Sequence, residues 1–155
     1  MIKNIINMTI QELINHDIKQ AMLAKNVDKL SALRSVKSAF LLEASKDGRD
    51  NITDEIALKI ISKLVKQRKD SAQIYNDQNR ADLEKDELAQ LRHLEHYLPK
   101  QLSEQEVNEI LDEIIVEQGA DSIKDMGRVM SIATEKLSGL ADGKLIAALV
   151  RNKLQ

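Results

Sequence analysis

Cysteine and tryptophan are absent from these 155 residues, proline occurs once, and two tyrosines and one phenylalanine supply all the aromatic surface. Without thiols there is no disulfide framework, no thiol catalysis and no zinc site built on thiolates, a pattern that suits a reducing compartment. Phe40, Tyr75 and Tyr97 are too few for the stacking platform that grips single-stranded nucleic acid. No apolar run approaches the roughly 18 residues of a membrane span. The opening MIKNIINM lacks the apolar core and small-residue cleavage site of a signal peptide. These absences together predict a soluble cytoplasmic protein. GxGxxG, P-loop and G-x-S-x-G patterns are missing too, and no histidine pairs recognisably with a nucleophile and an acid, so an autonomous enzyme is disfavoured.

What is present is helix-forming. The chain is 43% hydrophobic and 31% charged, rich in Leu, Ile, Ala, Lys, Glu and Gln, all acceptable or good helix formers, and it reads as all-α. Thr9 with Glu12 forms a capping box that opens a first helix, carrying Ile10, Leu13, Ile14, Ile18, Ala21 and Met22 to about Lys25. Asn26 caps a second helix with Leu33, Val36, Phe40 and Ala44 on one stripe, and Arg34 beside that stripe is expected to need a carboxylate partner. Thr53 opens the longest helix, whose buried face is predicted at Ile56, Ile60 and Leu64. The turn-forming NDQN precedes a fourth helix with Leu88, Leu91, Leu94 and Leu98 on its stripe. Pro99 cannot donate to a helix and pushes Leu98 out of helical geometry, so the chain divides there into residues 1–98 and 99–155.

Beyond the proline, Ser103 and Glu106 make a second capping box for a helix carrying Val107, Ile110, Leu111, Ile114 and Ile115 and closed by Gly119. Ser122 with Asp125 opens a sixth helix bearing Ile123, Met126, Met130, Ala133 and Leu137. Asp142 caps a seventh bearing Leu145, Ala148, Leu149 and Leu154. The expected architecture is a four-helix N-terminal subdomain followed by a three-helix C-terminal one. Four of the five glycines fall among the last 37 residues. Three lie at helix ends. Gly127 alone sits inside a helix, which predicts close approach by another helix or by a partner's backbone.

Candidate chemistry is sparse. His93 and His96 have a metal-compatible spacing but point away from the leucine stripe and lack a third ligand; they and His16 read as solvated surface histidines. The acidic residues from Glu104 to Glu117 read as a solvated helix face. The formal net charge of −2 argues against a surface that binds nucleic acid everywhere, and no DNA partner is expected. Residues 122–155, however, carry six cations against three anions. Lys124, Gly127, Arg128, Gly143, Lys144, Arg151 and Lys153 form the candidate polyanion site there, where glycine turns and helix N-termini lie beside the charges. Lys59, Lys63 and Lys66 make a secondary basic stripe on the third helix. Catalytic residues, metal ligands and cofactors are expected to be none.

Several long stretches in order, DIKQAM, LSALRSVKSA, KQRKDSAQIYNDQNRADLEKDE, LEHYLPKQLSEQEV, SIKDMGRVM and ADGKL, resemble the GatB/YqeY family and its free-standing YqeY-like proteins. The resemblance implies the same four-plus-three helix organisation, joined through YLPKQLS. It also implies kinship with the tail of the B subunit of glutamine-dependent tRNA amidotransferase, which helps to hold tRNA. KDMGRVM then supplies Lys124, Gly127 and Arg128, and ADGKL supplies Asp142, Gly143 and Lys144. Ser138 and Leu140 stand where members often carry basic residues, and Leu23 stands where lysine is usual. Family N-termini begin near Met8, so residues 1–7 are expected to be an extension. The leading expectation is a non-catalytic module for tRNA or a tRNA-handling complex. The alternatives are a protein-interaction adaptor that binds no RNA and, by kinship, a carbon–nitrogen ligase using glutamine as amide donor.

Overall fold

The computed structural model describes residues 7–155, and among them it contains seven α-helices and no strand. All but one residue of the expected N-terminal extension lie outside that range. Helix α1 (Ile10–Leu23) begins at the expected capping box: the Thr9 hydroxyl accepts from the Glu12 N–H, and the Glu12 carboxylate accepts from the Thr9 N–H at 2.9 Å. Asn26 caps α2 (Val27–Lys46) and Thr53 caps α3 (Asp54–Asp77), each with a side-chain oxygen on the amide three residues on. The Ile10 N–H donates to Asp54 at 2.9 Å, and Gln11 both donates to the Asp50 carbonyl and accepts from the Ile52 N–H, fastening the start of α1 to the loop before α3. Helix α4 (Ala81–Glu95) follows a turn in which Asn79 takes a left-handed backbone. It ends three residues short of the predicted Leu98, because His96 to Leu98 already form the turn that delivers the chain to Pro99.

Helix α5 (Glu104–Gln118) has the second capping box, and the left-handed Gly119 (φ 59°) stops it. A 3-10 turn, Ile123–Asp125, precedes α6 (Met126–Lys136), so the sixth helix starts later than the Ser122 cap predicts. The Ser122 side chain makes no capping bond. In α7 (Gly143–Leu154) the Asp142 carboxylate accepts from the Lys144 N–H at 2.9 Å, the cap the sequence indicates. No described helix is long and apolar enough to cross a membrane.

The chain forms two compact units, divided between Leu98 and Pro99. In the first, Ile14, Ile18, Leu33, Val36, Phe40, Ile61 and Leu94 are among the side chains that build one apolar cluster. In the second, Val107, Leu111, Ile114, Val129, Leu137, Ile146 and Val150 are among those that build another, and the clusters have no residue in common. Two predicted faces are displaced by one residue. Helix α3 buries Ala57, Ile61, Val65 and Ala72, with Ile60 and Leu64 at the margin and Ile56 exposed. Helix α7 buries Ile146 and Val150 in place of Leu145 and Leu149, together with the expected Leu154, while Ala148 is exposed. Both contain apolar doublets (Ile60-Ile61, Leu64-Val65, Leu145-Ile146, Leu149-Val150), and adjacent positions lie about 100° apart, so periodicity fixes such a face only to within one residue. In α1, Ala21 takes the last buried position and Met22 faces outward.

Candidate nucleic-acid interface

The second unit's cations are placed by a helical hairpin. Leu137 to Ala141 make a tight turn, with the Leu140 and Ala141 amides both donating to the Leu137 carbonyl, so α7 starts within a turn of where α6 ends. Because α7 also packs against the 3-10 turn that precedes α6, it must run back along α6. Lys124, Gly127 and Arg128 therefore share the open end of the hairpin with Arg151 and Lys153, while Gly143 and Lys144 lie at the closed end. The seven residues read together in the sequence thus divide into two groups.

Their charges are not equally available. Lys153 Nζ lies 2.6 Å from Asp112 of α5 and is largely covered, so the protein's own carboxylate holds it. Arg128 pairs with Asp125 at 3.0 Å in an exposed contact, which solvent screens and weakens. Asp125 is held below the usual carboxylate range, first by the hydrogen bond from the Asp121 amide and to a smaller degree by Arg128. Lys124, Lys144 and Arg151 are exposed and form no ion pair with the described residues. The Asp142 carboxylate already occupies the Lys144 amide, so the N-terminus of α7 meets an incoming phosphate with one donor taken.

Gly127 departs from its prediction. It is exposed in the first turn of α6, and a Cβ there would meet nothing within 4 Å, so no described helix approaches it. Gly127→Ala is expected to stabilise the protein by about 0.4–1 kcal/mol by restricting the unfolded chain. A rise in thermal midpoint checks this, and a fall would reveal a constraint on the backbone that the open surroundings do not show.

On α3, Lys59, Lys63 and Lys66 lie opposite the buried face and are exposed. Lys59 pairs with Glu55 at 3.2 Å, whereas Lys63 and Lys66 form no ion pair with the described residues. Arg34 has no carboxylate partner among the described residues and is exposed, contrary to the sequence expectation; it needs none because water solvates it. His93 is half-buried rather than fully solvated, and desolvation followed by the nearby Lys29 lowers its pKa. No group of three metal-binding side chains occurs among the described residues.

One polar contact is invisible to local sequence patterns. The Tyr97 hydroxyl donates to Asp17 Oδ2, and Asp17 Oδ1 lies 3.2 Å from His16 Nδ1. This joins the end of α4 to the middle of α1. Asp17 flanks the buried Ile18, and Tyr97 lies one residue before Leu98-Pro99; a carboxylate beside an apolar stripe and a tyrosine at a helix end were the available signals.

The sequence model of a family described as Yqey-like protein matches residues 11–154. The chain is 33% identical over 121 residues to altered inheritance of mitochondria protein 41, mitochondrial, of Vanderwaltozyma polyspora, covering 73% of this chain and 64% of that protein. It is likewise 33% identical over 121 residues to the protein of the same name from Pyrenophora tritici-repentis, covering 74% of this chain and 66% of that one. A shorter match, 49% identical over 59 residues, joins it to a glutamyl-tRNA(Gln) amidotransferase subunit of Thermococcus gammatolerans, at 35% of this chain and 9% of that much longer protein. The chain thus spans less than two thirds of each of these relatives.

Proposed function

The chain belongs to the Yqey-like protein family, and from that premise we propose that it is a non-catalytic module that binds tRNA in the cytoplasm, alone or alongside a tRNA-handling amidotransferase. The observation that carries this reading is the 59-residue match to a protein whose name specifies glutamyl-tRNA(Gln) amidotransferase. Lys124 and Arg151 at the open end of the hairpin and Lys144 at its closed end are exposed cations without an ion pair among the described residues, and they would meet a phosphate backbone. Lys63 and Lys66 are a secondary basic candidate on the first unit, considered by itself. Lys153 contributes less than the sequence suggests, since Asp112 holds it. Two of the relatives are named as mitochondrial, and neither the role nor the compartment proposed here rests on them.

Titration of the full chain against tRNA at several salt concentrations tests the reading. Each phosphate contact adds nearly one to the slope of log affinity against log salt, and replacing Lys124 and Arg151 by glutamate is expected to weaken binding about tenfold or more and to flatten that slope by about two. Affinity insensitive to salt and to these changes would overturn the proposal. Co-purification of a protein partner without RNA would support an adaptor instead. Glutamine-dependent amide transfer by the isolated chain would assign a carbon–nitrogen ligase.

A further inference from the structure

Helix α2 is apolar or small on two opposite faces. One carries Ala32, Leu33, Val36, Phe40 and Ala44 into the core. The other is exposed and runs Val27, Ser31, Arg34, Ser38, Leu41, Ser45 at alternating spacings of four and three, the spacing of a helix–helix seam. In a chain that is 31% charged, Arg34 is the single charge along this stripe. The stripe's large members are well exposed: Val27 is 73% and Leu41 52% accessible, with Leu42 beside them at 67%. Met22 and Leu23, at the end of α1, add apolar surface next to Val27. Five of the nine exposed large hydrophobic side chains among the described residues are thus gathered on α2 and the end of α1.

The order of sizes along the stripe identifies its occupant. Val27 and Ser45 are equidistant from the level of Val36, as are Ser31 and Leu41, and Arg34 and Ser38. A second α2 laid antiparallel about a two-fold axis at that level sets each large side chain against a serine and each Arg34 against a serine hydroxyl that can accept from it. In a parallel pair, Arg34 would meet Arg34 and serine would meet serine, leaving like charges and holes. We propose that this protein self-associates through the exposed stripe of α2, as an antiparallel two-fold dimer.

The strip is roughly 30 Å long and 10–12 Å wide. That is below the about 800 Å² per partner of a standard stable interface, so the dimer should be weak and concentration-dependent. Sedimentation equilibrium of the full chain is expected to show a mass rising from monomer toward dimer with concentration. The double variant Leu41→Glu, Leu42→Glu should remain monomeric at every concentration, with unchanged helical circular dichroism because both side chains are exposed. The absence of native cysteine makes the orientation directly readable. Under oxidation, a mixture of Val27→Cys and Ser45→Cys chains should cross-link as the mixed pair, and Val27→Cys alone should not. A wild-type chain that stays monomeric to the limit of its solubility, a dimer unaffected by the glutamates, or cross-linking of Val27→Cys to itself would each overturn the proposal.

Discussion

Phe40→Ala is expected to destabilise the first unit by about 3–5 kcal/mol, and Leu111→Ala the second by about 2–5 kcal/mol, each leaving the other unit's interior intact. Phe40 is the sole phenylalanine and one of the largest fully buried side chains; it shares the first cluster with Leu33, Val36 and Leu94. Deleting its ring removes the transfer free energy of the aromatic surface and leaves a cavity that the surrounding cluster can only partly close. Leu111 holds the same position in the second cluster, between Val107 and Ile114 of its own helix and the α6–α7 hairpin. Domain stabilities of about 5–15 kcal/mol mean that either loss consumes a large part of the total. Amide hydrogen exchange of the two variants reads the outcome residue by residue. Faster exchange confined to residues 7–98 in the first variant and to 99–155 in the second is the expected result. Protection lost throughout the chain in either variant would show that the two interiors are energetically one.

Tyr97→Phe is expected to lower the stability of the first unit by about 1–3 kcal/mol, since Asp17 loses a donor in a partly buried setting. Asp17→Ala strands the Tyr97 hydroxyl and should have a similar cost, and the double variant should be less destabilised than the sum of the two. The effect also has a pH signature. Burial first, and then the hydrogen bond to Asp17, raise the Tyr97 phenol well above its ordinary value. An acid whose folded pKa is raised binds its proton more tightly in the folded state. Its contribution is therefore fully present below about pH 10, where the unfolded phenol begins to ionise, and is lost as pH rises from there toward the folded pKa. Denaturant unfolding across the alkaline range should show wild type losing stability above that point more steeply than Tyr97→Phe. Parallel curves would mean that the phenol titrates as in water.

The helices were legible because their ends are written in local chemistry. Thr9 with Glu12, Ser103 with Glu106, Asn26, Thr53 and Asp142 each satisfy an amide within three residues, an interaction that owes nothing to the rest of the fold. The faces of α3 and α7 were legible only to within one residue, because apolar doublets such as Ile60-Ile61 and Leu149-Val150 leave the choice to whichever neighbour packs against them. The candidate interface was less legible still. Counting cations finds Lys124, Lys144, Arg151 and Lys153 alike, but it takes three-dimensional placement to put Asp112 of α5 against Lys153 and to separate Lys144 from Arg151 along the hairpin. The Tyr97–Asp17 contact spans 80 positions, beyond any local pattern. Gly127 misled for a different reason: scarcity in a helix suggests crowding, whereas the position tolerates glycine because nothing presses on it.

The first residues past the proline are held by the tip of the unit they enter: the Leu102 amide donates to the Leu140 carbonyl, and the Gln101 side chain to that of Gly139. The described members of its apolar interior begin at Leu102, so a transplant of this stretch into another polypeptide is expected to keep its fold only where the cut falls ahead of Gln101. A graft beginning at Ser103 would keep every helix yet forfeit the clasp that closes the fold upon its own entrance.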